Sequence, residues 1–310
     1  MTKFISHIFW CFIYLFSLLP RQFFYFLSDI CAFLLMKVFK YRTSVVYVNL
    51  ARSFPDLKYR ELDAIVKDYY KYMCDIFVES IWATSASPKQ LCNMVTIKNP
   101  ELLDEMCSRH DKVVIMLGHR GNWELMGVIC GTEEYKREHS YTGSKFKISY
   151  KKANSGISNY IFEKMRMHEY TKFNVSGHIV SSKSLLRDII REKEKSIYLF
   201  IADQTPVRVR GVAKFLNQKT LMFTGAEDIS SKLNLPVIYL SMDRPCRGKY
   251  VINLSMISEV PKETSRYYIT REYARLLEED IMREKYNWLW SHRRWKRDLT
   301  PEEEAEYIRL

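Results

Sequence analysis

The chain has 310 residues, 47% of them hydrophobic, with 21 Tyr and 17 Phe but only 10 Gly and 9 Pro. This composition excludes a disordered, collagen-like or disulfide-stapled protein, and the seven scattered cysteines are interpreted as free thiols in a reducing compartment. The formal net charge of +12 favours an anionic partner, which could be nucleic acid, an anionic membrane surface or an acidic carrier protein.

The first 40 residues are strongly apolar. Residues 4–19 contain no charged side chain, and residues 23–36 are apolar apart from one serine and one aspartate. Because a bilayer span needs about 20 apolar residues, three arrangements fit this segment: a single spanning helix, a helical hairpin in one leaflet, and an amphipathic helix in the interface.

Basic residues follow this apolar segment closely. They are Arg21, Lys37, Lys40, Arg42 and Arg52. By the positive-inside rule they keep the body of the protein in the cytoplasm. We therefore predict a membrane anchor over residues 1–40, with an N-terminal membrane-anchoring helix, and a cytoplasmic α/β domain over residues 41–310.

Helices and strands alternate in the rest of the chain. Apolar residues recur at helical spacing over residues 60–83, and residues 113–117 form a fully apolar run typical of a buried central strand. The later predicted helices cover residues 122 to about 130, 184–195 and 272–286, and a capping box at 224–227 opens a further helix that ends at 233. The later predicted strands cover residues 197–201, 236–240 and 250–254. This order predicts an α/β fold with a mixed, mostly parallel sheet flanked by helices.

Residues 118–124, Gly-His-Arg-Gly-Asn-Trp-Glu, lie where the first predicted strand meets its helix. Sites of open α/β sheets gather at the carboxyl ends of strands, which is the position of His119. Glu124 can reach back to one imidazole nitrogen, fix the tautomer and stabilise the imidazolium. Since no serine or cysteine stands beside it, His119 would act as a general base on a substrate hydroxyl. The alternative is a structural histidine, because this spacing also arises by chance.

Three further residues are candidates for the same site. Arg166 lies on a predicted helix and could stabilise a developing oxyanion, the alternative being a solvated helix face. Asp203 and Gln204 end the second predicted strand, beside His119 if the two strands are neighbours. They could bind a hydroxyl or a phosphate-bearing head group, the alternative being loop capping.

Residues 292–297 form a basic and aromatic run, His-Arg-Arg-Trp-Lys-Arg. Such a run could bind RNA or lie at a bilayer interface. The apolar N-terminus favours the bilayer, so we expect no nucleic-acid partner. The other histidines show no ligand spacing, and we expect no metal site.

At these residues the chain resembles the bacterial lipid A biosynthesis acyltransferases, the lauroyl/myristoyl transferase group whose hallmark is His-x4-Asp/Glu. Residues 1–41 look like their membrane anchor. Glu79 stands where they carry a glutamate at the end of a helix. The other matching segments are residues 49–55, 118–124, 202–204, 223–225 and 288–296, the last being a nearly complete Trp-x-Trp-x-His-Arg-Arg-Trp-Lys block.

The resemblance implies a glycerolipid acyltransferase-like fold at the inner membrane, with the catalytic domain on the cytoplasmic side among the membrane phospholipids. It implies an acyl carrier protein thioester as donor, a hydroxyl of a lipid A precursor or related glycolipid as acceptor, and no cofactor. His119 would be the base, Glu124 its partner, and a basic residue would stabilise the oxyanion. The candidates for this last role are Arg166 and backbone donors near Gly121. Substrate binding is assigned to Arg120, Asn122, Lys151, Lys152, Asn154, Asp203 and Gln204.

One segment departs from the family pattern. Where the family has Tyr-Arg-Pro-x-x-Asn, this chain has Tyr-Lys-Lys-Ala-Asn at residues 150–154. Because lysine does not replace arginine in bidentate phosphate binding, the acceptor stays open between lipid A and another membrane lipid, such as an aminolipid, phosphoglycolipid or lysophospholipid. The alternatives from other classes are a non-catalytic adaptor on anionic membranes and a lipid hydrolase.

Overall fold

A computed structural model describes residues 2–131, 140–141, 144–150, 156–173, 177–181, 184–206, 211–296, 299–301 and 307–308. Its α-helices are α1 Thr2–Ser17, α2 Arg21–Phe33, α3 Thr43–Ser53, α4 Tyr59–Ala83, α5 Pro88–Cys92, α6 Glu101–Arg109, α7 Gly156–Lys172, α8 Leu185–Arg191, α9 Gly225–Leu233 and α10 Tyr268–Arg283. Its strands are β1 Val95–Ile97, β2 Lys112–Leu117, β3 Lys145–Tyr150, β4 Gly177–Ser181, β5 Ser196–Ile201, β6 Val212–Phe215, β7 Gln218–Leu221, β8 Val237–Cys246, β9 Lys249–Ser258 and β10 Tyr307–Ile308. A π-helix covers Leu34–Val38, and 3-10 helices cover Trp123–Gly131 and Pro261–Glu263.

A seven-stranded sheet forms the centre of the fold, in the order β1-β9-β8-β2-β5-β3-β4. β2 pairs in parallel with both β5 and β8, and β3 pairs in parallel with β5 and β4. β9 runs antiparallel to β8 and parallel to the short β1. The expected mixed, mostly parallel sheet flanked by helices is therefore confirmed. A second sheet has the order β10-β6-β7.

β2 is apolar at every central position because both faces of the sheet are covered. Val114 and Met116 belong to one hydrophobic core, and Val113 and Ile115 belong to another. Successive side chains of a strand point to opposite faces, so the two cores lie on opposite sides of the sheet. This double burial explains the uninterrupted apolar run in the sequence.

The predicted helices differ from the observed ones mainly at their ends. The helix expected at 184–195 is shorter, and the helix expected at 272–286 begins at Tyr268 and ends at Arg283. The prediction of a capping box at residues 224–227 was wrong. The side chain of Thr224 makes no capping hydrogen bond, and Oε2 of Glu227 accepts hydrogen bonds from Thr270 N (3.0 Å) and Thr270 Oγ1 (2.5 Å).

Two helices occupy the N-terminal segment instead of one. In the described part of the chain no single helix is long and apolar enough to cross a membrane. Residues 4–17 and 21–38 meet that requirement only as a pair, with a bend of 110° between them. The single anchoring helix is therefore not confirmed.

The N-terminal helices present many apolar side chains to the exterior while packing on the rest of the fold. Phe24, Ser28 and Ala32 of α2 are buried, and α2 packs along α4. The exposed side chains form what we call the apolar N-terminal surface: Phe4, Phe9, Phe12, Leu15, Leu18, Phe26, Phe33 and Phe39.

Candidate active site

Two neighbouring parallel strands bring His119 and Asp203 together. His119 follows β2, Asp203 follows β5, and the last residues of the two strands, Leu117 and Ile201, are register partners. Nδ1 of His119 lies 2.5 Å from Oδ1 of Asp203, and the backbone N–H of His119 donates to Oδ2 over 2.8 Å. The same carboxylate thus holds both the ring and the backbone of His119.

This contact decides which nitrogen of His119 faces a substrate. An ionised carboxylate only accepts hydrogen bonds, so Nδ1 carries the proton and Nε2 keeps its lone pair. Nε2 lies 3.3 Å from the amide nitrogen of Gln204, and the Trp123 ring packs edge-on against the imidazole at 5.0 Å. The His119 side chain is 14% exposed. A partly exposed Nε2 with a lone pair is suited to accept a proton from a hydroxyl.

Asp203 is buried and is surrounded by hydrogen-bond donors. Nε1 of Trp288 donates to its Oδ2 over 2.8 Å, and Nη1 of Arg294 donates to its backbone carbonyl. Burial alone would raise the pKa of Asp203, but the charge interaction with His119 and the hydrogen bonds from His119 and Trp288 outweigh it and lower the pKa to about 2. Asp203 is therefore ionised at every physiological pH.

Glu124 does not occupy the place expected for it. Among the residues that the structure describes, its carboxylate contacts Arg166, through Nε at 2.8 Å and Nη2 at 2.7 Å, and Trp123 Nε1 at 3.1 Å. The orienting contact on Nδ1 of His119 comes from Asp203 instead. The chain reverses at Gly121 (φ +58°) and enters a 3-10 helix, which turns Glu124 toward α7. The structure thus pairs Glu124 with Arg166.

The other polar side chains of residues 118–124, which we call the catalytic turn, face the interior. Arg120 is 2% exposed, and it donates to Asn287 O (3.0 Å) while contacting Asp280 (2.9 Å) and Glu284 (3.2 Å). Asn122 is fully buried, and its amide donates to Glu79 over 2.8 Å. In this structure both side chains support the turn, in contrast to the substrate-binding roles expected of them.

The remaining substrate-binding candidates have different outcomes. Asp203 is engaged by His119, so its first role in the structure is to orient the histidine. Gln204 lies beside Nε2 of His119, where a substrate would approach. Lys151, Lys152 and Asn154 lie outside the described residues.

Sequence reasoning missed the role of Trp288 and Arg294. Within the run at residues 292–297 that was expected at a bilayer interface, Arg294 is buried while Arg293 and Lys296 are exposed, and the preceding Trp288 and Trp290 are buried. Their donors satisfy internal acceptors, since Trp290 Nε1 donates to Lys285 O over 2.7 Å and Arg294 Nη2 to Leu221 O over 3.2 Å. A signal was present in the sequence, because paired tryptophans beside an arginine are as compatible with a buried hydrogen-bonded cradle as with an interface.

His292, in the same block, is expected to make the fold less stable as the pH falls. Burial, followed by the positive charge of Arg294, lowers its pKa from 6.5 to about 4. Between these values the unfolded chain binds more protons than the folded one, so the free energy of unfolding falls as the pH falls from about 6.5 to about 4. Denaturant unfolding at several pH values should show a shallower pH dependence for His292→Gln than for the unmodified protein.

His110→Gln is the control for that measurement, because His110 is a partly buried histidine 3.5 Å from Glu259 and outside the C-terminal block. The slope for His292→Gln is expected to be shallower than the slope for His110→Gln. Equal slopes for His292→Gln and the unmodified protein would show that His292 is not the group responsible.

No group of three or more His, Cys, Asp or Glu that could hold a metal ion occurs within the described residues. A family model for bacterial lipid A biosynthesis acyltransferases matches residues 1–297. The chain belongs to this family. Membership implies acyltransferase activity, and the match covers the apolar N-terminal segment, residues 118–124 and the C-terminal block alike. A comparison with curated proteins gives no match.

Proposed function

We propose that the chain transfers a fatty acyl group from an acyl carrier protein thioester to a hydroxyl of a lipid A precursor or related glycolipid. The observation that carries the proposal is the His119–Asp203 contact of 2.5 Å, which leaves Nε2 as a proton acceptor at the carboxyl edge of the sheet. Family membership supports the acyl-transfer class. The specific donor and acceptor rest on the resemblance of the sequence segments.

In the proposed mechanism Nε2 of His119 takes the proton of the acceptor hydroxyl. The acceptor oxygen attacks the thioester carbonyl carbon, a C–O bond forms and the carbonyl oxygen becomes an oxyanion. The tetrahedral intermediate then collapses, the C–S bond breaks, and the imidazolium returns its proton to the leaving thiolate. The products are the new ester and the free thiol of the carrier. Asp203 stabilises the imidazolium through Nδ1 throughout.

Arg166 is the residue to which we assign oxyanion stabilisation. Backbone N–H groups near Gly121 are the alternative donors, but Gly121 N donates to Asn287 Oδ1 over 2.7 Å and Asn122 N donates to Met242 Sδ over 3.1 Å. Two nitrogens of Arg166 are held by Glu124. In this proposal Glu124 therefore orients the guanidinium, whose positive charge favours the negatively charged transition state.

Membrane attachment is part of the proposal, with the inner membrane as location, phospholipid as a partner and the catalytic domain on the cytoplasmic side. The apolar N-terminal surface supports it, because large contiguous exposed apolar areas mark interaction sites in folded proteins. The net charge of +12 favours both an anionic bilayer and an acidic carrier protein.

The experiment that tests the function uses the full chain with phospholipid vesicles that contain a lipid A precursor. Acyl carrier protein thioester is added, lipid products are identified by mass spectrometry, and the fraction of protein floating with the vesicles is measured in the same samples. An acylated precursor and vesicle-bound protein are the expected results. Free fatty acid as the main product would favour a hydrolase, and vesicle binding without turnover of any donor would favour an adaptor.

A further inference from the structure

A line of polar residues is buried along one side of α4. Tyr72, Asp75 and Glu79, which we call the polar stripe of α4, recur at the three- and four-residue spacing that places side chains on one face of a helix. All three are buried on a helix whose other buried positions are mostly apolar. Buried polar groups need hydrogen-bond partners, and the partners of this stripe join two distant parts of the molecule.

Glu79 contacts three donors from three different elements. Oε1 accepts from the Tyr25 hydroxyl of α2 over 3.0 Å. Oε2 accepts from the Tyr250 hydroxyl of β9 over 2.6 Å and from the Asn122 amide over 2.8 Å. Burial raises the pKa of Glu79, while the hydrogen bonds from Tyr250 and Asn122 act in the opposite direction. Three donors converging on two oxygens suit a carboxylate, which only accepts.

The stripe also holds α2. The Ser28 hydroxyl donates to Asp75 Oδ1 over 2.6 Å. Arg247, from the β8–β9 hairpin, contacts both Asp75 (2.6 Å) and Asp29 of α2 (2.9 Å), while Arg244 donates to Asp75. Hence Ser28 and Asp29 of α2 are both engaged by protein groups.

At the other side the stripe holds the catalytic turn. The Tyr72 hydroxyl donates to the carbonyl of Gly121 over 2.8 Å. Gly121 has φ +58°, in the left-handed region that favours glycine. A Cβ there would lie 2.2 Å from Cγ of Met242, so the turn is also closely packed. Together with the Glu79–Asn122 contact, this fixes the backbone between His119 and Glu124.

We propose that Glu79 is a positioning residue for the reaction: it fixes the catalytic turn through Asn122, and through Tyr25 it makes the N-terminal helix α2 a part of that support. This inference rests on the proposed acyl transfer. It assigns the N-terminal segment a second role beyond attachment. Loss of the Tyr25 hydroxyl then disturbs the geometry of His119 even when the protein remains on the membrane.

The test uses the full chain in vesicles with four variants. Glu79→Gln removes the charge at constant size, and Tyr25→Phe removes one donor. Glu79→Gln combined with Asn122→Asp exchanges donor and acceptor across the same contact. Tyr47→Phe is the matched control, because its hydroxyl also donates to an acid of α4, Asp63, over 2.6 Å but outside the stripe.

Glu79→Gln is expected to lower kcat roughly tenfold to a hundredfold, because small displacements of reacting groups have large effects on rate. Tyr25→Phe should lower kcat roughly twofold to tenfold, the effect of one hydrogen bond. KM for the donor should change less than about twofold. The exchanged pair should recover much of kcat, and Tyr47→Phe and vesicle flotation should be unchanged. A kcat of Glu79→Gln and Tyr25→Phe equal to that of Tyr47→Phe would overturn the proposal.

A second measurement does not depend on turnover. The ring signals of 15N-labelled histidine report the tautomer and hydrogen bonding of His119, which can be assigned with His119→Ala. We expect Glu79→Gln to shift or broaden the His119 signals, whereas Tyr47→Phe leaves them in place. If the unmodified protein transfers no acyl group but these shifts occur, positioning stands and the proposed function fails. Unchanged His119 signals in Glu79→Gln would overturn positioning whatever the activity.

Discussion

His119→Ala is expected to lower kcat for acyl transfer by about a hundredfold to ten-thousandfold, the usual contribution of a general base. Without Nε2 no described group at this edge of the sheet is placed to take the proton of the acceptor hydroxyl. The measurement is the initial rate of ester formation at saturating donor and acceptor. Because the imidazole acts on the acceptor hydroxyl, vesicle binding and the KM for the donor should change little.

His110→Ala serves as the control for general effects of removing an imidazole. That residue is partly buried like His119, lies next to β2 and contacts Glu259 at 3.5 Å, yet it takes no part in the site. It should keep the full rate. Transfer by His119→Ala at the rate of His110→Ala would exclude the mechanism.

Asp203→Asn should lower kcat about as much as the loss of the histidine, by up to about ten-thousandfold, by analogy with other histidine–aspartate pairs. An asparagine amide can donate to Nδ1, which would shift the ring proton to Nε2 and block the base. Asp203 also accepts from Trp288 Nε1 and from the His119 backbone, contacts that asparagine can keep only in part. Rates are compared with those of Glu124→Gln.

Glu124→Gln distinguishes the two carboxylates. It leaves the His119–Asp203 contact intact and weakens the hold on Arg166, so its loss in kcat should be smaller than that of Asp203→Asn. A larger loss for Glu124→Gln would restore Glu124 as the principal partner of His119 and would contradict the assignment to Asp203.

Because the pKa of Asp203 is lowered, the pH dependence of protein stability gives a further test of its contacts. Because its folded pKa is about 2 and its ordinary value is 3.8, its contribution to stability is fully present above about pH 4 and is lost as the pH falls toward 2. Asp203→Asn should remove this part of the acid dependence of unfolding. The pH window differs from that of His292, so one series of denaturation curves separates the two groups.

The central part of the sheet was predictable from sequence, and its edges were not. β2, β5 and β8 contain apolar runs that arise when a strand is buried on both faces, whereas β9 alternates buried and partly buried residues around its apolar run. β3 alternates charged and apolar residues, and it was missed. Its Lys147 is buried only because Asp188 and Glu192 lie 2.7 Å away, and such pairing cannot be read from a local pattern. The three-residue β1 is too short to give any periodic signal.

The position of the site was predictable from the sequence, but the carboxylate that contacts His119 was not. The sequence placed His119 and Asp203 at strand ends, side by side if the two strands are neighbours, and the sheet order β2-β5 makes them so. The choice between Glu124 and Asp203 depended on the direction of the chain after Gly121, where a left-handed residue and a 3-10 helix carry Glu124 away from the ring. Trp288 lies 85 residues from the carboxylate it contacts, a distance that local sequence patterns do not bridge.

The contacts that hold α2 on the rest of the protein have a consequence for the order in which the chain folds. Arg247, which contacts Asp29, follows it by 218 residues in the chain. During synthesis α2 emerges early, whereas the β8–β9 hairpin emerges only when most of the chain has left the ribosome. Until then Asp29 lacks its arginine, and the contacts that join α2 to this hairpin cannot form. Completion of these contacts therefore requires the first and the last third of the chain to come together.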